Sequence, residues 1–430
     1  MKDIAEDFFG VLRRCPTAHH VGSVLVETLA TAGFEPFPPT PTDLAPGAGY
    51  YVRRGTGFLA ALRIGSESLE ETGARLTLAH SDSPALQLKV RGLSETGALR
   101  TAPVEVYGSP ILTSWLDTPL EIAGTVALRG EEGIELHPIR TGKPVAVIPN
   151  LAIHLNRKVN EGQTVEKHTQ LRPVFDEAFV EKGVLPKLCE LAGLDPNRIL
   201  DGELYLIPAG EPAAWGTPES GYYTASRIDN LAGVYGNIQG LLAAEHGEAT
   251  QIAVVFDHEE IGSLSRTGAR APIIAEILSA LSGSAGLLQS DLYRRSLLLS
   301  NDATHGNHPN FPEKHDPNYL PELGGGPALK LSAVRRYATE PEATAKLRLI
   351  AEEADVHLQE IQNRADLPAG TTVGAMTAAS TMMPTVDLGV PILGMHSARE
   401  SGNLRDLKSM IRLMHTFYRS KAPGKEVTLR

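Results

Sequence analysis

The chain has 430 residues, of which 42% are hydrophobic, so it can bury a large core and more than one domain. Its formal net charge of −11 and pI of about 5.7 argue against nucleic acid as a partner, because no excess of positive charge offsets repulsion from phosphates. Two cysteines, Cys15 and Cys189, are too few for a disulfide framework or a thiolate metal cluster, and they favour a reducing interior.

The N-terminal segment, MKDIAEDFFGVLRRC, has an amphipathic pattern that includes Asp3, Glu6 and Asp7. It lacks the basic start and the continuous apolar core of a signal peptide. The longest apolar region, APIIAEILSALSGSAGLL, is broken by Glu276 and by serines and glycines, so we expect no membrane span and no membrane partner. These features predict a cytoplasmic protein.

Short apolar runs alternate with longer helical patterns, which predicts an α/β fold with a mostly parallel central sheet. The clearest buried strands are predicted in ARLTLAH, QIAVVFDHEE, SLLLSND and VPILGMHS, residues 74–80, 251–260, 296–302 and 390–397. Helices are predicted in NLAGVYGNIQGLLAAEH, ATAKLRLIAEEADVHLQEIQ and DLKSMIRLMHTFYRS, residues 230–246, 343–362 and 406–420.

The region from about Ser94 to Pro212 has a different pattern. Short alternating runs such as PVEVYGS, EIAGTVALRG and KPVAVIP are separated by Gly and Pro, which is typical of β-rich structure. We therefore predict a discontinuous α/β domain, residues 1–93 and 213–430, that carries an inserted second domain, residues 94–212.

Each of the four predicted buried strands runs into a residue that can bind metal: His80, the pair Glu259–Glu260, Asp302 and His396. A fifth acid, Asp229, lies where a loop enters a helix. Functional groups collect at the carboxyl ends of strands in open α/β sheets. Taken singly, each residue has an ordinary structural explanation, such as a hydrogen-bonded histidine or a helix-capping aspartate. Several carboxylates buried together are costly without a compensating cation, so the set favours a metal site.

These five ligands suit two divalent ions that share a bridging carboxylate. Oxygen ligands with one imidazole per ion fit Zn²⁺, with Mn²⁺ and Co²⁺ as alternatives, and the ligand count leaves positions open for water. Asp82 can accept a hydrogen bond from the other imidazole nitrogen of His80, or it can simply form the turn before Ser83. Because neighbours in an extended segment point in different directions, one of Glu259 and Glu260 can bind metal while the other holds the proton of the attacking water.

The chain resembles the aspartyl aminopeptidase family of dinuclear zinc exopeptidases over nearly its whole length. The matching blocks are HSDSPALQLKV, VEVYG, IPNLAIHLNRKVNEG, SRIDNLAG, FDHEEIGS, NDATHGNHPNFPEKHD, GGGPALKLSAVRRYAT and GMHSARE. The resemblance implies a phosphorylase/hydrolase-like peptidase domain with an inserted dimerisation domain, and homo-oligomers that are typically tetrahedral dodecamers. The segments YGSPILTSWLDTPL and LIPAGEPAAWG depart from the family pattern, which affects the expected lid, pocket and subunit contacts.

The resemblance also implies a role for each candidate residue. Asp229 would bridge two zinc ions, His80 and Asp302 would complete one site, and Glu260 and His396 would complete the other. Asp82 would orient His80, and Glu259 would be the general base. Three further residues would contact substrate: Lys330, Tyr337 and His154, the last reaching into a neighbouring subunit's active site.

The implied activity is removal of N-terminal Asp and Glu from peptides with a free N-terminus. Lys330 would supply the cation that an acidic side chain needs in a protein of negative net charge. The alternatives are a solvated surface lysine for Lys330 and an ordinary strand histidine for His154. For the whole protein, the alternatives are a broad-specificity aminopeptidase or an N-acyl amino acid hydrolase on the same centre, or a non-catalytic scaffold. Glu259 argues against the scaffold, because a binding module needs ligands but no base.

Overall fold

The structure, a computed structural model, describes residues 2–39, 41 and 44–421. The α-helices in these ranges are α1 (Lys2–Arg14), α2 (Ala18–Thr31), α3 (Leu69–Thr72), α4 (Glu177–Val180), α5 (Val184–Leu191), α6 (Ile228–Ala244), α7 (Ile273–Ser284), α8 (Gln289–Arg295), α9 (Pro341–Glu353), α10 (Val373–Thr381) and α11 (Leu404–Arg419).

The strands in the same ranges are β1 (Glu35–Pro36), β2 (Gly49–Arg54), β3 (Phe58–Arg63), β4 (Ala74–His80), β5 (Ala85–Leu88), β6 (Ser94–Thr96), β7 (Leu99–Thr101), β8 (Val104–Tyr107), β9 (Pro119–Arg129), β10 (Ile134–Arg140), β11 (Ala146–Val147), β12 (Val174–Asp176), β13 (Ile199–Pro208), β14 (Ala213–Ala214), β15 (Tyr222–Ala225), β16 (Thr250–Phe256), β17 (Leu297–Asn301), β18 (Thr304–His305), β19 (Ala328–Leu331), β20 (Gln359–Gln362), β21 (Thr385–Gly389), β22 (Pro391–Ile392) and β23 (Glu400–Asn403).

A nine-stranded sheet forms the centre of the molecule, in the order β1-β2-β3-β16-β4-β17-β21-β19-β20. Parallel pairing joins β1 to β2, β16 to β4, β4 to β17, β17 to β21 and β19 to β20, and the other neighbours are antiparallel. Strands β4, β16, β17 and β21 are buried along their whole lengths, as parallel strands covered on both faces must be. The predicted α/β fold with a mostly parallel central sheet is confirmed.

Helices cover both faces of this sheet. On one face, α1, α2, α6, α9 and α11 share a core with alternate strand residues such as Leu59, Ala79 and Val255. On the other face, α7, α8 and α10 share a core with the intervening positions, such as Leu78 and Val254. The alternation follows from the two-residue period of a strand, which sends successive side chains to opposite faces.

A second, β-rich sheet has the strand order β6-β7-β12-β11-β9-β13-β5-β8, with β10 paired to β9, and its pairings are antiparallel. Its core includes Trp115, Ile122 and Phe175. Strand β5 belongs to this sheet although it precedes residue 94. The predicted division into residues 1–93, 94–212 and 213–430 stays a prediction.

Two predicted elements are wrong in detail. The helix predicted over 343–362 ends at Glu353, because Asp355 turns the chain with φ of +49° and residues Gln359–Gln362 join the sheet as β20. The strand predicted in VPILGMHS is wrong as a central strand: that position belongs to β21, and only Pro391–Ile392 is extended, as β22 beside β18. A Cβ at Gly389 would lie 1.7 Å from the carbonyl oxygen of Asp302, so the chain can pass here only as glycine.

The apolar region around Glu276 forms α7 and α8. In the described part of the chain no single helix is long and apolar enough to cross a membrane, and these two meet that criterion only as a pair bent by 103°.

Candidate active site

Three adjacent parallel strands deliver most of the candidate ligands to one edge of the central sheet. Strand β4 ends at His80, which is in register with Phe256 at the end of β16. Asp302 directly follows β17 on the other side of β4. Because the carboxyl ends of parallel neighbours meet at the same edge, residues far apart in sequence lie side by side there.

The loops that carry the remaining ligands have unusual backbone conformations. In these loops the ligand His396 and the non-ligand residues Arg227 and His258 have φ between +62° and +68°. Asp229 and Asn230, joined by a cis peptide bond, have non-helical φ and ψ within the first turn of α6. Left-handed conformations at such residues are costly and persist where surrounding contacts determine them, which happens most often at functional sites.

The candidate ligands form two groups that share Asp229. In the first, Nε2 of His80 lies 3.5 Å from Oδ1 of Asp229 and 3.4 Å from Oδ1 of Asp302. In the second, Nε2 of His396 lies 3.5 Å from Oδ2 of Asp229 and 3.2 Å from Oε2 of Glu260. Each oxygen of the Asp229 carboxylate therefore faces a different group.

Unsatisfied oxygens mark both groups. Oδ1 of Asp229 and Oε1 of Glu260 are buried and have no hydrogen-bond partner among the residues that the structure describes. A buried carboxylate oxygen without a partner costs free energy, and a divalent cation would remove that cost. Imidazole nitrogen and carboxylate oxygen are ordinary zinc ligands, so the residues present fit zinc.

Acidic side chains crowd the site, and burial and their neighbours shift their pKa values. Burial raises the pKa of Glu259 to about 9, although His80 opposes this, and the charges of Asp302 and Glu260 add to the rise. Burial likewise raises the pKa of Glu260 to about 7 against the hydrogen bond from His396. In Asp229, burial alone would raise the pKa, but His396 and His80 outweigh it and hold the pKa well below its usual range.

Asp82 organises the loop that carries the two glutamates. Its Oδ1 accepts the backbone N–H of Glu259 at 3.1 Å, and its Oδ2 accepts that of Glu260, also at 3.1 Å. The hydroxyl of Tyr107, in the second sheet, donates to Oδ2 at 2.8 Å. Nδ1 of His80 lies 3.0 Å from the main-chain oxygen of Asp82 and 3.5 Å from its Oδ1. Asp82 therefore contacts both a ligand imidazole and the loop of the proposed base.

The Glu259–Glu260 pair lies in a one-turn 3₁₀ helix, Glu259–Ile261, and not in the extended segment expected from sequence. The two side chains still differ in their contacts: Glu260 joins His396 and Asp229, whereas Glu259 lies with His80 and Glu260. An oxygen of the Glu259 carboxylate and an oxygen of the Glu260 carboxylate nevertheless lie within 4.8 Å of each other.

Lys330 lies in a buried ion pair rather than on the surface. Its ammonium donates to Oδ2 of Asp302 at 2.9 Å and lies 5.4 Å from the centre of the Tyr337 ring. The Lys330 residue is 3% exposed. Burial lowers the pKa of this ammonium, but Asp302 outweighs burial and raises it above its usual range. The alternative of a solvated surface lysine is wrong.

His154 lies in a turn of the second sheet's long loop and is exposed. Its neighbours Leu151, Ile153 and Leu155 are exposed as well, at 55%, 47% and 75%. His154 belongs to neither ligand group within this chain, and because it lies in a turn it is a surface histidine but not a strand histidine.

Sequence reasoning missed two residues of the site, Tyr107 and Glu400. Glu400 is 1% exposed, and its carboxylate accepts the backbone N–H groups of His396 and Asp229. Both residues lie inside blocks that carried the family resemblance, VEVYG and GMHSARE, but nothing in the spacing of those blocks indicates which partner each side chain contacts.

A cleft of about 480 Å³ is lined by residues that lie close in sequence to two of the candidate ligands, Asp302 and His396. Its lining includes His305, three residues after Asp302, and Met395, which precedes His396. The wall combines basic or imidazole side chains and the acid Asp316 with apolar residues: His305, His308, Lys314, His315, Phe311, Tyr319, Ile361, Leu367, Ile392, Leu393 and Met395. The cleft is large enough to receive a peptide side chain.

The family model for aminopeptidase I zinc metalloproteases (M18) matches residues 11–418. The chain belongs to the M18 family of zinc aminopeptidases. It is therefore a zinc-dependent metalloaminopeptidase, a hydrolase, which confirms the family resemblance and the prediction of a zinc-dependent aminopeptidase. The zinc fits the ligand groups around Asp229 described above.

Similar M18 proteins cover nearly the whole chain. The probable M18 family aminopeptidase 2 of Pseudomonas fluorescens (strain SBW25) is 35% identical over 420 residues, which is 95% of this chain and 96% of the relative. Among solved structures, Ape4 from the cryo-EM structure of the Ape4 and Nbr1 complex has a TM-score of 0.91 at 28% identity, covering 97% of this chain and 86% of that one. The mApe1 dodecamer of S. cerevisiae has a TM-score of 0.81 at 23% identity, covering 97% and 96%.

Proposed function

We propose that this M18 aminopeptidase holds two zinc ions per chain and releases N-terminal amino acids, with a preference for Asp and Glu. The observation that supports two ions is the position of Asp229, whose carboxylate offers one oxygen to His80 and Asp302 and the other to His396 and Glu260. A single ion would leave one of these groups of buried acids without a cation.

Two zinc ions, when bound, would act as Lewis acids for the substrate carbonyl and would lower the pKa of the attacking water. Glu259 would take the proton of that water and pass it to the leaving amine. Its position supports this role, because its carboxylate lies within 4.8 Å of the ligand atoms of His80 and Glu260 while its backbone is held by Asp82. The hydroxyl of Tyr107 in turn donates a hydrogen bond to Asp82, so hydrogen bonds position the backbone of the proposed base.

The proposed preference for acidic residues depends on local positive charge. The ammonium of Lys330 has three N–H donors, and Asp302 accepts one of them. A substrate carboxylate would take another, with the Tyr337 hydroxyl as a second donor. Lys314 and the imidazoles of the cleft add donors, and Asp316 in the same wall opposes them.

A second candidate is a broad-specificity aminopeptidase that prefers neutral residues. Two observations favour it: the buried Lys330 is already paired with Asp302, and much of the cleft wall is apolar, as at Phe311, Ile361 and Ile392. Both candidates use the same ligands and base, so they differ only in the side chain that the cleft accepts.

The test is a comparison of kcat/KM for aminoacyl chromogenic substrates carrying Asp, Glu, Leu, Ala or Lys. Metal-free protein should be reconstituted with Zn²⁺, Mn²⁺ or Co²⁺, and the bound metal should be counted in the same samples. Higher kcat/KM for Asp and Glu supports the proposal, whereas faster cleavage of Leu or Lys selects the broad-specificity candidate. N-acetylated amino acids serve as the control, because an N-acyl amino acid hydrolase would act on them and an aminopeptidase would not.

We further propose a homo-oligomer, with a tetrahedral dodecamer as the assembly to test, and a cytoplasmic location. The similar mApe1 of S. cerevisiae forms a dodecamer. In this chain, Leu151, Ile153 and Leu155 expose apolar surface around His154, which a contact with another subunit would cover. The family resemblance implies that such a contact brings His154 to a neighbouring active site.

A further inference from the structure

Glu400 is a buried acid that lies outside both ligand groups. It begins β23 and pairs with Ala225 at the end of β15, just before the loop that contains Asp229. The residue is 1% exposed. Burying a carboxylic acid beside Asp229 is costly, so its contacts must stabilise it specifically.

The carboxylate of Glu400 joins two ligand-bearing backbones. Its Oε1 accepts the N–H of His396 at 2.8 Å, and its Oε2 accepts the N–H of Asp229 at 3.1 Å. Each of the two oxygens of Glu400 therefore holds a different segment. One side chain thus sets the distance between two segments that are far apart in sequence.

Both segments need such support. His396 has φ of +68°, and Asp229 has non-helical φ and ψ inside α6. Neither residue is placed by a regular hydrogen-bonding ladder of its own, unlike His80 at the end of β4. These are also two of the three members of the second ligand group, whose third member, Glu260, is held separately through Asp82.

We propose that Glu400 is a positioning residue that fixes Asp229 relative to His396 and thereby sets the zinc affinity of the second ligand group, Asp229–Glu260–His396. The first group, with His80 and Asp302, depends less on Glu400, because both of its other members follow strands of the central sheet. This inference rests on the proposed binding of two zinc ions.

The test measures zinc affinity by competition with a chromophoric chelator in two variants of Glu400 and one control variant. Glu400→Gln keeps the shape but can accept only one of the two N–H groups. Glu400→Asp keeps the charge but is too short to reach both at once. In each, one of the two zinc ions should bind about 10- to 100-fold more weakly, the usual effect of losing a contact behind a metal ligand, while the other is retained.

The matched control is Asp406→Asn. Asp406 is also fully buried, and its carboxylate accepts two backbone N–H groups, those of Gly324 at 2.7 Å and Gly326 at 2.8 Å. This variant should lose a similar amount of thermal stability without a change in zinc affinity. A general loss of stability would therefore not mimic the effect expected at Glu400.

Wild-type affinity for both ions in Glu400→Asp would overturn the inference, and this variant decides the matter even if Glu400→Gln does not fold. Equal weakening of both ions would also overturn it. The two-ion proposal is tested separately by counting the zinc ions bound to the wild-type protein. If the wild type binds only one ion, the proposed two-ion centre is refuted before any variant is compared.

Discussion

Replacing Lys330 by methionine tests the buried ion pair beneath the metal site. The ammonium and Oδ2 of Asp302 lie 2.9 Å apart, and the two side chains are only 4% and 12% exposed, so water screens the pair weakly. Removing one partner of a buried pair leaves the other charge uncompensated and costs about 3–5 kcal/mol. We expect Lys330→Met to lower the free energy of unfolding of the metal-free protein by about that amount.

Zinc should reduce this loss, because the ion compensates the charge of Asp302 when lysine does not. The metal-free state then loses more stability than the zinc-bound state, and by linkage the variant should bind zinc more tightly than the wild type. Urea unfolding followed by circular dichroism, with EDTA or with saturating zinc, measures both effects.

The control is Lys346→Met, which removes a partially exposed i,i+4 pair with Glu342 on α9 and should cost less than about 1 kcal/mol. A loss of that same small size for Lys330→Met in EDTA, or an equal loss with and without zinc, would refute the reasoning.

The other predictions concern the ligands, the base and the loop histidine. Asp229→Ala should lose both zinc ions by metal analysis after dialysis, whereas His396→Ala should weaken mainly one; a wild-type zinc content in Asp229→Ala would contradict the bridging role. Glu259→Gln should keep its zinc and its melting temperature but lose turnover by at least ~10²-fold, and near-normal turnover would assign the base elsewhere. His154→Ala should lower kcat/KM at an unchanged oligomeric state by gel filtration; full activity would remove His154 from the site.

The sequence predicted the ligands at the ends of strands because burial and periodicity are local properties. ARLTLAH and SLLLSND contain short apolar runs, and the structure has β4 and β17 at those positions, the first ending at His80 and the second just before Asp302. Because the carboxyl ends of parallel neighbours meet at one edge of the sheet, the proximity of His80 and Asp302 follows from the fold class alone.

Contacts made by loops could not be predicted in the same way. His396 was expected at the end of a central strand, but it lies in a turn held by Glu400. Lys330 follows three glycines and an apolar stretch, which gives no sign that Asp302 would pair with it. Such pairs depend on the relative position of segments that only the complete fold brings together.

The hydrogen bond from Tyr107 to Asp82 limits how the inserted region of this enzyme can be deleted or exchanged. The chain passes from β4 through Asp82 directly into β5 of the second sheet, and Tyr107 returns from that sheet to the same carboxylate. Gly108, which follows Tyr107, lies against Glu260. A Cβ added at Gly108 would lie 3.2 Å from the Cβ of Glu260. Excising residues 85–208 to obtain a minimal peptidase would therefore remove part of the catalytic centre. The two sheets constitute one functional unit, and engineering or exchange of the insertion between homologues must carry Tyr107 and its hydroxyl along with it.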